Sequence, residues 1–293
     1  MNSSKNNGTA DVFFRCRMKG TAMNKVLRTV LLVIFAAAFL VSGAMVIKEL
    51  HDRRVSASYL HSFQEAYAPS IPSGSIVPDK PKDKDQAAPE EGSEAPKDTI
   101  PVDVSNPQII QLTADYPDAV GWLTVEGAGV SHPFALGETN RTYIRSALDG
   151  SYVRSGTLFI DYRNSRDMRD SLTVLYGHNM NNGTMFSNLN RYLDSEYIRF
   201  YPDVYVSLPD RTDHYTVWAA MVADAVYDKL FNSAGVTGDI QYIADYVSQN
   251  ADYINDSLTV TGEDRLLVLS TCNPSYFFAR TVVVCVYDGE VIP

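Results

Sequence analysis

The chain has 293 residues, 45% of them hydrophobic, and a formal net charge of −10. That is enough apolar mass for one or two packed domains, so a wholly disordered or fibrous chain is excluded. Residues 1–47 carry a net +5, which leaves −15 for residues 48–293 and argues against a nucleic-acid partner.

The first element in chain order is an apolar run over residues 29–47, TVLLVIFAAAFLVSGAMVI, without a charge. It is long enough to cross a bilayer as a helix. Arg15, Arg17, Lys19, Lys25 and Arg28 precede it, and Lys48, Arg53 and Arg54 follow. The basic excess on the N-terminal side predicts a cytoplasmic N-terminus, residues 1–25, and a single-pass anchor over 26–47, with the rest of the chain outside. A cleaved signal peptide is the competing reading, because Ser42, Gly43 and Ala44 offer small residues at its end. The length of the run favours the anchor, since a signal core usually has about 7–15 apolar residues. Residues 48–67 are expected to continue as a helical stalk. Residues 68–101, rich in Pro, Lys, Asp, Glu, Ser and Ala, read as a disordered, extended linker with too little apolar surface to offset ordering. Residues 102–293 are then one extracellular domain.

Within that domain a helix is predicted over 106–115, with Pro107 at its first position. Strand signals follow at 120–125 (VGWLTV), 156–161 (GTLFID), 172–176 (LTVLY), 204–208 (VYVSL), 214–222 (HYTVWAAMV), 266–271 (LLVLST) and 281–287 (TVVVCVY). A short helix is expected after Thr184, carrying Met185, Phe186 and Leu189. A longer one is expected over 239–253, where Ile240, Ile243, Ala244, Val247 and Ala251 form one stripe behind a Thr237 or Asp239 cap. Many short strands in fewer than 200 residues, with helices interspersed, indicate a mainly β, α+β domain built as a barrel or a sandwich.

Only Cys272 and Cys285 lie in the exported part; Cys16 falls on the cytoplasmic side. If residues 266–287 form a hairpin centred near Tyr276, Cys285 lies opposite about Leu267. Cys272 is then about five residues out of register, roughly 17 Å at ~3.4 Å per residue. A disulfide needs Cα atoms within about 7 Å. Cys285, inside VVVCVY, reads as a small buried hydrophobe. Cys272 ends one strand and Arg280 opens the next, so the hairpin places both at one mouth. A thiolate attacks acyl carbons, and the oxyanion that results needs a fixed donor such as a guanidinium. The bland alternative is a free thiol at a strand end beside a surface arginine. Of five histidines, His51 and His61 lie in the stalk, and His132 and His214 read as ordinary residues. His178 follows a strand in YGHNMNNGTMF, a loop of Gly and Asn where an imidazole can face a cleft.

These residues together carry a resemblance. Leu269-Ser270-Thr271-Cys272 with Arg280 eight residues on resembles the sortase signature. The stretch from Tyr176 to Met180, followed by Gly183-Thr184-Met185-Phe186, is similar to the histidine segment of class B sortases, as are Gly121-Trp122-Leu123 and the inserted helix at 239–253. The resemblance implies an eight-stranded β-barrel with an N-terminal helix and a helix inserted between late strands. It implies Cys272 as nucleophile, His178 as general acid/base and Arg280 as oxyanion or carbonyl donor, with Asn140, Ile144, Tyr176 and Ser270 lining a peptide groove. It further implies a cysteine transpeptidase of a wall-bearing Gram-positive cell, without metal or cofactor. Its substrates would be sorting-signal peptides of secreted proteins, and its acceptor a peptidoglycan-precursor or pilin amine. Family members often have an acidic residue just after the cysteine, where this chain has Asn273-Pro274, and the loop from Cys272 to Arg280 is short. Two other readings stay open from the residues alone: a cysteine endopeptidase, and a non-catalytic adhesin on a stalk.

Overall fold

The computed structural model describes residues 25–71, 75–77, 105–226 and 228–292. The chain divides into two units, Met1–His51 and Asp52–Pro293. One helix, α1 (Lys25–Tyr67), runs through the division. In the first unit its apolar side chains are exposed, Phe39 and Ile47 among them, and the helix is long and apolar enough to cross a membrane. In the second unit its last turns join the folded domain. Ser56, Leu60 and Phe63 are buried, and the Phe63 ring lies 4.7 Å from Tyr59 and 5.1 Å from Tyr116. The division between units thus falls inside the expected stalk. The reason is a stripe at 56, 60, 63 and 67, spaced for one face of a helix.

Strand β1 (Ser75–Val77) pairs antiparallel with residues Glu290–Ile292, so three residues of the expected linker belong to the sheet. The linker residues 72–74 and 78–101 lie outside the described residues. The elements that follow are α2 (Pro107–Asp115), β2 (Ala119–Val125), β3 (Val130–Leu136), β4 (Leu158–Ile160), β5 (Leu172–Tyr176), α3 (Ser195–Phe200), β6 (Asp203–Ser207), β7 (Thr212–Asp224), α4 (Lys229–Asn232), α5 (Gln241–Asn250), β8 (Tyr253–Ile254), β9 (Leu266–Cys272) and β10 (Ala279–Ile292). A 3-10 turn at Ser187–Tyr192 stands where the short helix after Thr184 was expected. Strand order is β10-β9-β5-β4-β3-β2-β6-β7, and β7 pairs back onto β10. This closes an eight-stranded barrel, as the resemblance implied, with β1 and β8 attached outside the circuit.

Strand β3 is absent from the sequence reading because Pro133 sits in its middle and proline cannot donate to a ladder. The structure accommodates it at a flank: β3 pairs with β4 only from Phe134 onward, so no β4 residue opposes Pro133. Helix α5 is shorter than the expected 239–253. It begins where the Asp239 carboxylate accepts the Gln241 N–H at 2.7 Å, and it ends before Tyr253 and Ile254 pair with Ala220 and Ala219 of β7, respectively.

Period-two alternation sorts the late strands into two faces. Leu267, Leu269, Val283 and Cys285 fill the barrel interior with Phe134, Leu158 and Phe186. Leu172, Val174, Val268, Val282 and Val284 point outward and are covered by Leu230, Ile243, Ala244 and Val247 of the inserted helices. That covered outer face stops short of the ends of β5 and β9, and the candidate site residues stand there.

Candidate active site

The β9–β10 register pairs Arg280 with Cys272, Val282 with Ser270 and Cys285 with Leu267. The parallel β5–β9 register sets Tyr176 beside Ser270. Tyr176, Ser270, Cys272 and Arg280 therefore continue the outward rows of Val174, Val268 and Val282 past the cover of α4 and α5. Cys272 is exposed and Cys285 is fully buried; both are free thiols. Burial pushes the Cys285 thiol far above its ordinary range, which leaves it inert.

The loop after β5 brings His178 to the same place. Gly177 packs so tightly that a Cβ would lie 2.5 Å from Leu158 and 2.7 Å from Phe186, so only glycine fits. The Gly177 N–H donates to Ser270 O at 3.1 Å, and Thr271 Oγ1 donates to Gly177 O at 2.8 Å. Asn179 Nδ2 donates to the backbone carbonyl of Cys272 at 2.8 Å. These bonds tie the histidine loop to the cysteine strand.

His178 Nε2 lies 2.6 Å from the carbonyl oxygen of Ile144. A carbonyl only accepts, so Nε2 carries the hydrogen, and Nδ1 is the nitrogen that gains and loses a proton. Burial lowers the His178 pKa; the Ile144 bond opposes this, while the charges of Arg145 and Arg280 add to it. At neutral pH the imidazole is mostly neutral. The carbonyl itself is held by Gly156, which has φ +59° and approaches so closely that a Cβ would lie 2.5 Å from Ile144 O.

Arg280 is half-buried, and its one side-chain hydrogen bond among the described residues runs to Ala279 O at 3.1 Å. Most of its donor fork is uncommitted. Asn273 builds the tight loop. Its N–H donates to Ala279 O at 2.9 Å, its Nδ2 to Thr281 Oγ1 at 2.8 Å, and its Oδ1 accepts from Ser275 N at 2.9 Å.

All seven residues singled out from the sequence, Asn140, Ile144, Tyr176, His178, Ser270, Cys272 and Arg280, line one cavity of about 280 Å³. Thr157, Phe159, Ala225, Phe231 and Thr271 complete most of its wall and were not singled out. The Ser270 hydroxyl is buried in that wall without a hydrogen-bond partner among the described residues. Two residues the sequence reading missed, Asp161 and Arg163, support residues of that wall. Asp161 accepts from Asn140 Nδ2 at 2.8 Å and Tyr176 Oη at 3.0 Å. The only signal for them was an acid closing the strand GTLFID, which is no pattern until the fold closes. The other histidines are elsewhere. His132 is buried in β3, and burial lowers its pKa to about 4. His214 Nε2 sits 2.9 Å from Asp203. No group of three or more His, Cys, Asp or Glu suited to a metal occurs among the described residues.

A closed eight-stranded barrel with a thiol, a guanidinium and an imidazole on one cavity of its outer wall delimits a narrow class. The sortase-domain profile matches residues 123–288, more than half of the chain, and the chain belongs to the sortase family. It is 31% identical over 158 residues to Sortase B of Listeria monocytogenes, covering 53% of this chain and 63% of that protein. It thus spans just under two thirds of that relative's length. It is 27% identical over 175 residues to Sortase B of Staphylococcus aureus, covering 58% of this chain and 69% of the relative. Among solved structures, the Staphylococcus aureus sortase B–substrate complex is similar at a TM-score of 0.57 and 27% identity, covering 63% of this chain and 86% of that one. A Streptococcus pyogenes class B sortase involved in pilus biogenesis is similar at 0.57 and 26%, covering 62% and 98%. Sortase B from B. anthracis reaches 0.62 over 82% of this chain and 99% of that one, and at 22% identity that likeness concerns the fold.

Proposed function

We propose that this chain is a membrane-anchored class B sortase. In this reading it cleaves a C-terminal sorting signal of exported proteins and joins the acyl part to an amine of the cell wall or of a pilin. The observation that carries the reading is the register of Cys272 opposite Arg280, with His178 tied to the same strand by its loop. Family membership and a relative solved as a substrate complex support a peptide in the groove.

The chemistry proceeds in two halves. In the reactive charge state the Cys272 thiolate attacks the scissile carbonyl carbon, and the resulting oxyanion is met by the free donors of Arg280. Nδ1–H of His178 protonates the leaving amine as the C–N bond breaks, which leaves a thioacyl-enzyme. An incoming amine attacks the thioester, gives its proton to Nδ1, and the new amide departs as the thiolate re-forms. Because burial keeps His178 mostly neutral, the thiolate–imidazolium pair is a minority form. The unpartnered hydroxyl of Ser270 and the amide of Asn140 are substrate contacts in this reading.

The helical residues 26–47 serve as the anchor, with a cytoplasmic N-terminus and the barrel outside. The domain division is proposed as anchor, helical arm joined to the barrel, linker, and catalytic barrel. Tethering raises the local concentration of envelope amines relative to water.

The test uses the full chain in detergent micelles with a hexapeptide library, followed by intact-protein mass spectrometry. The expected result is a covalent acyl adduct on Cys272 that decays slowly in water and faster with a suitable primary amine, giving amide product. Cys272→Ala abolishes it and Cys285→Ala does not. Fast hydrolysis without an adduct, indifferent to a panel of amines, would establish an endopeptidase instead.

A further inference from the structure

Asp161 directly follows β4, its side chain fully buried yet ringed by donors. Arg163 reaches it through Nε at 2.7 Å and Nη2 at 2.9 Å, and through its own backbone N–H at 3.1 Å. Asn140 Nδ2 donates at 2.8 Å and Tyr176 Oη at 3.0 Å. Burial alone would raise the carboxyl's pKa; the bonds from Arg163, Asn140 and Tyr176 outweigh it and hold it below the ordinary value. It is an acceptor only.

Arg163 extends the network to a third element. Its Nη2 donates to Phe231 O at 2.6 Å and its Nη1 to Asn232 O at 3.3 Å, both in α4. The Phe231 ring stacks on Tyr176, with centroids 6.2 Å apart at 26°. Asn140, Tyr176 and Phe231 come from the β3–β4 connection, β5 and α4, and all three line the cavity, whereas neither Asp161 nor Arg163 does.

The network also spends particular hydrogen-bonding valences. The single O–H of Tyr176 is committed to Asp161, so its oxygen can only accept from a ligand. Asn140 gives one N–H to Asp161, and its Oδ1 accepts from Tyr162 N at 2.9 Å, which fixes the amide's orientation and leaves one N–H free.

We propose that Asp161 is the positioning residue of the peptide groove. It pins Asn140 and Tyr176 directly and, through Arg163, the α4 segment that carries Phe231. In doing so it sets the polarity the groove offers: a donor at Asn140 and an acceptor at Tyr176, matched to a peptide or primary-amide group that presents the complementary pair. This rests on the transpeptidase reading.

The test takes the hexapeptide that acylates the wild-type full chain best in the library above, and measures kcat, KM and library preference for Asp161→Asn and Tyr176→Phe. Iodoacetamide alkylation of Cys272 against pH is followed in parallel. Asp161→Asn is expected to raise KM about tenfold or more, to leave kcat within about threefold, and to relax the preference at one peptide position. Its alkylation profile stays that of wild type. Tyr176→Phe keeps the Asp161–Arg163 pair, so it carries the test if the first variant does not fold; its KM is expected to rise about threefold or more. A fall in kcat and alkylation together with unchanged KM would assign Asp161 a purely structural role. Variants that match the wild type in KM and preference overturn the Asp161 assignment alone. A wild-type chain that captures no peptide overturns the transpeptidase reading and the groove assignment with it.

Discussion

Arg280 and Cys272 are direct partners across the β9–β10 ladder, with their side chains on the same outer face of the barrel. That guanidinium sits where the ladder register puts it, and no ion pair holds it among the described residues. Replacing it with lysine keeps the charge and loses the planar fork. Arg280→Lys is expected to lower kcat by about 10²–10³, the usual cost of one oxyanion donor, and Arg280→Ala to lower it further. Steady-state kinetics with the best library peptide check this. A near-wild-type lysine variant would reduce Arg280 to a general electrostatic aid.

With His178 as the proposed general acid/base, its depressed pKa is expected to set the acid side of the pH profile. Its protonation midpoint lies below 6.5, so the acid limb of kcat/KM is expected below pH 6.5. Arg145 contributes to the depression by charge, although burial contributes more. Arg145→Gln removes a cation, raises the His178 pKa, and is expected to move the acid limb to higher pH. A limb that stays put or moves down would contradict the assignment.

Gly156 packs against the Ile144 carbonyl that His178 Nε2 meets. Gly156→Ala puts a methyl 2.4 Å from Tyr143 O and 2.5 Å from Ile144 O, at a φ of +59° that alanine rarely adopts. The expected outcome is a loss of about tenfold or more in kcat, with KM changing less, and a destabilisation of about 1–3 kcal/mol. Calorimetry and kinetics on the same sample separate the two effects.

The last turns of α1 belong to the folded domain. Tyr59 Oη accepts from Leu148 N at 3.0 Å and meets Thr157 Oγ1, a cavity residue, at 3.3 Å. Leu60 and Phe63 are buried, each contributing about 1.5–3 kcal/mol. A fragment that starts at residue 102 is therefore expected to unfold at a clearly lower temperature than one that starts at residue 52, and to turn over more slowly. Equal Tm and activity in the two fragments would make this arm dispensable.

His132 links stability to pH. Its pKa falls from about 6.5 unfolded to about 4 folded, so the unfolded chain binds the proton more readily between those values. Its contribution is complete above pH 6.5 and is lost as pH falls from 6.5 toward 4, in total about 3 kcal/mol at 1.36 kcal/mol per pKa unit. Urea titrations from pH 7 to pH 4 are expected to show this slope, and His132→Gln to flatten it.

Local pattern was enough for most strands and for the late hairpin. Alternation and β-branched runs marked β2, β5, β6, β7, β9 and β10, and hairpin register alone placed Cys285 opposite Leu267 and Arg280 opposite Cys272. These are short-range facts, since strand period and loop length decide them within some twenty residues. The 19 uncharged residues of 29–47 are likewise legible, because bilayer thickness is a local length criterion. The remainder depended on closure of the barrel. Proline hid β3 until a flank lacking an opposing β4 residue accommodated it. The stripe on the arm of α1 meant nothing until Tyr116 and the β3–β4 connection came to cover it. Asp161 and Arg163 lie over 100 residues from Cys272 in sequence, and a buried carboxylate becomes a groove support only when Asn140, Tyr176 and α4 converge on it. Hydrogen bonds between distant segments have no period in the sequence, so only the tertiary structure could decide them.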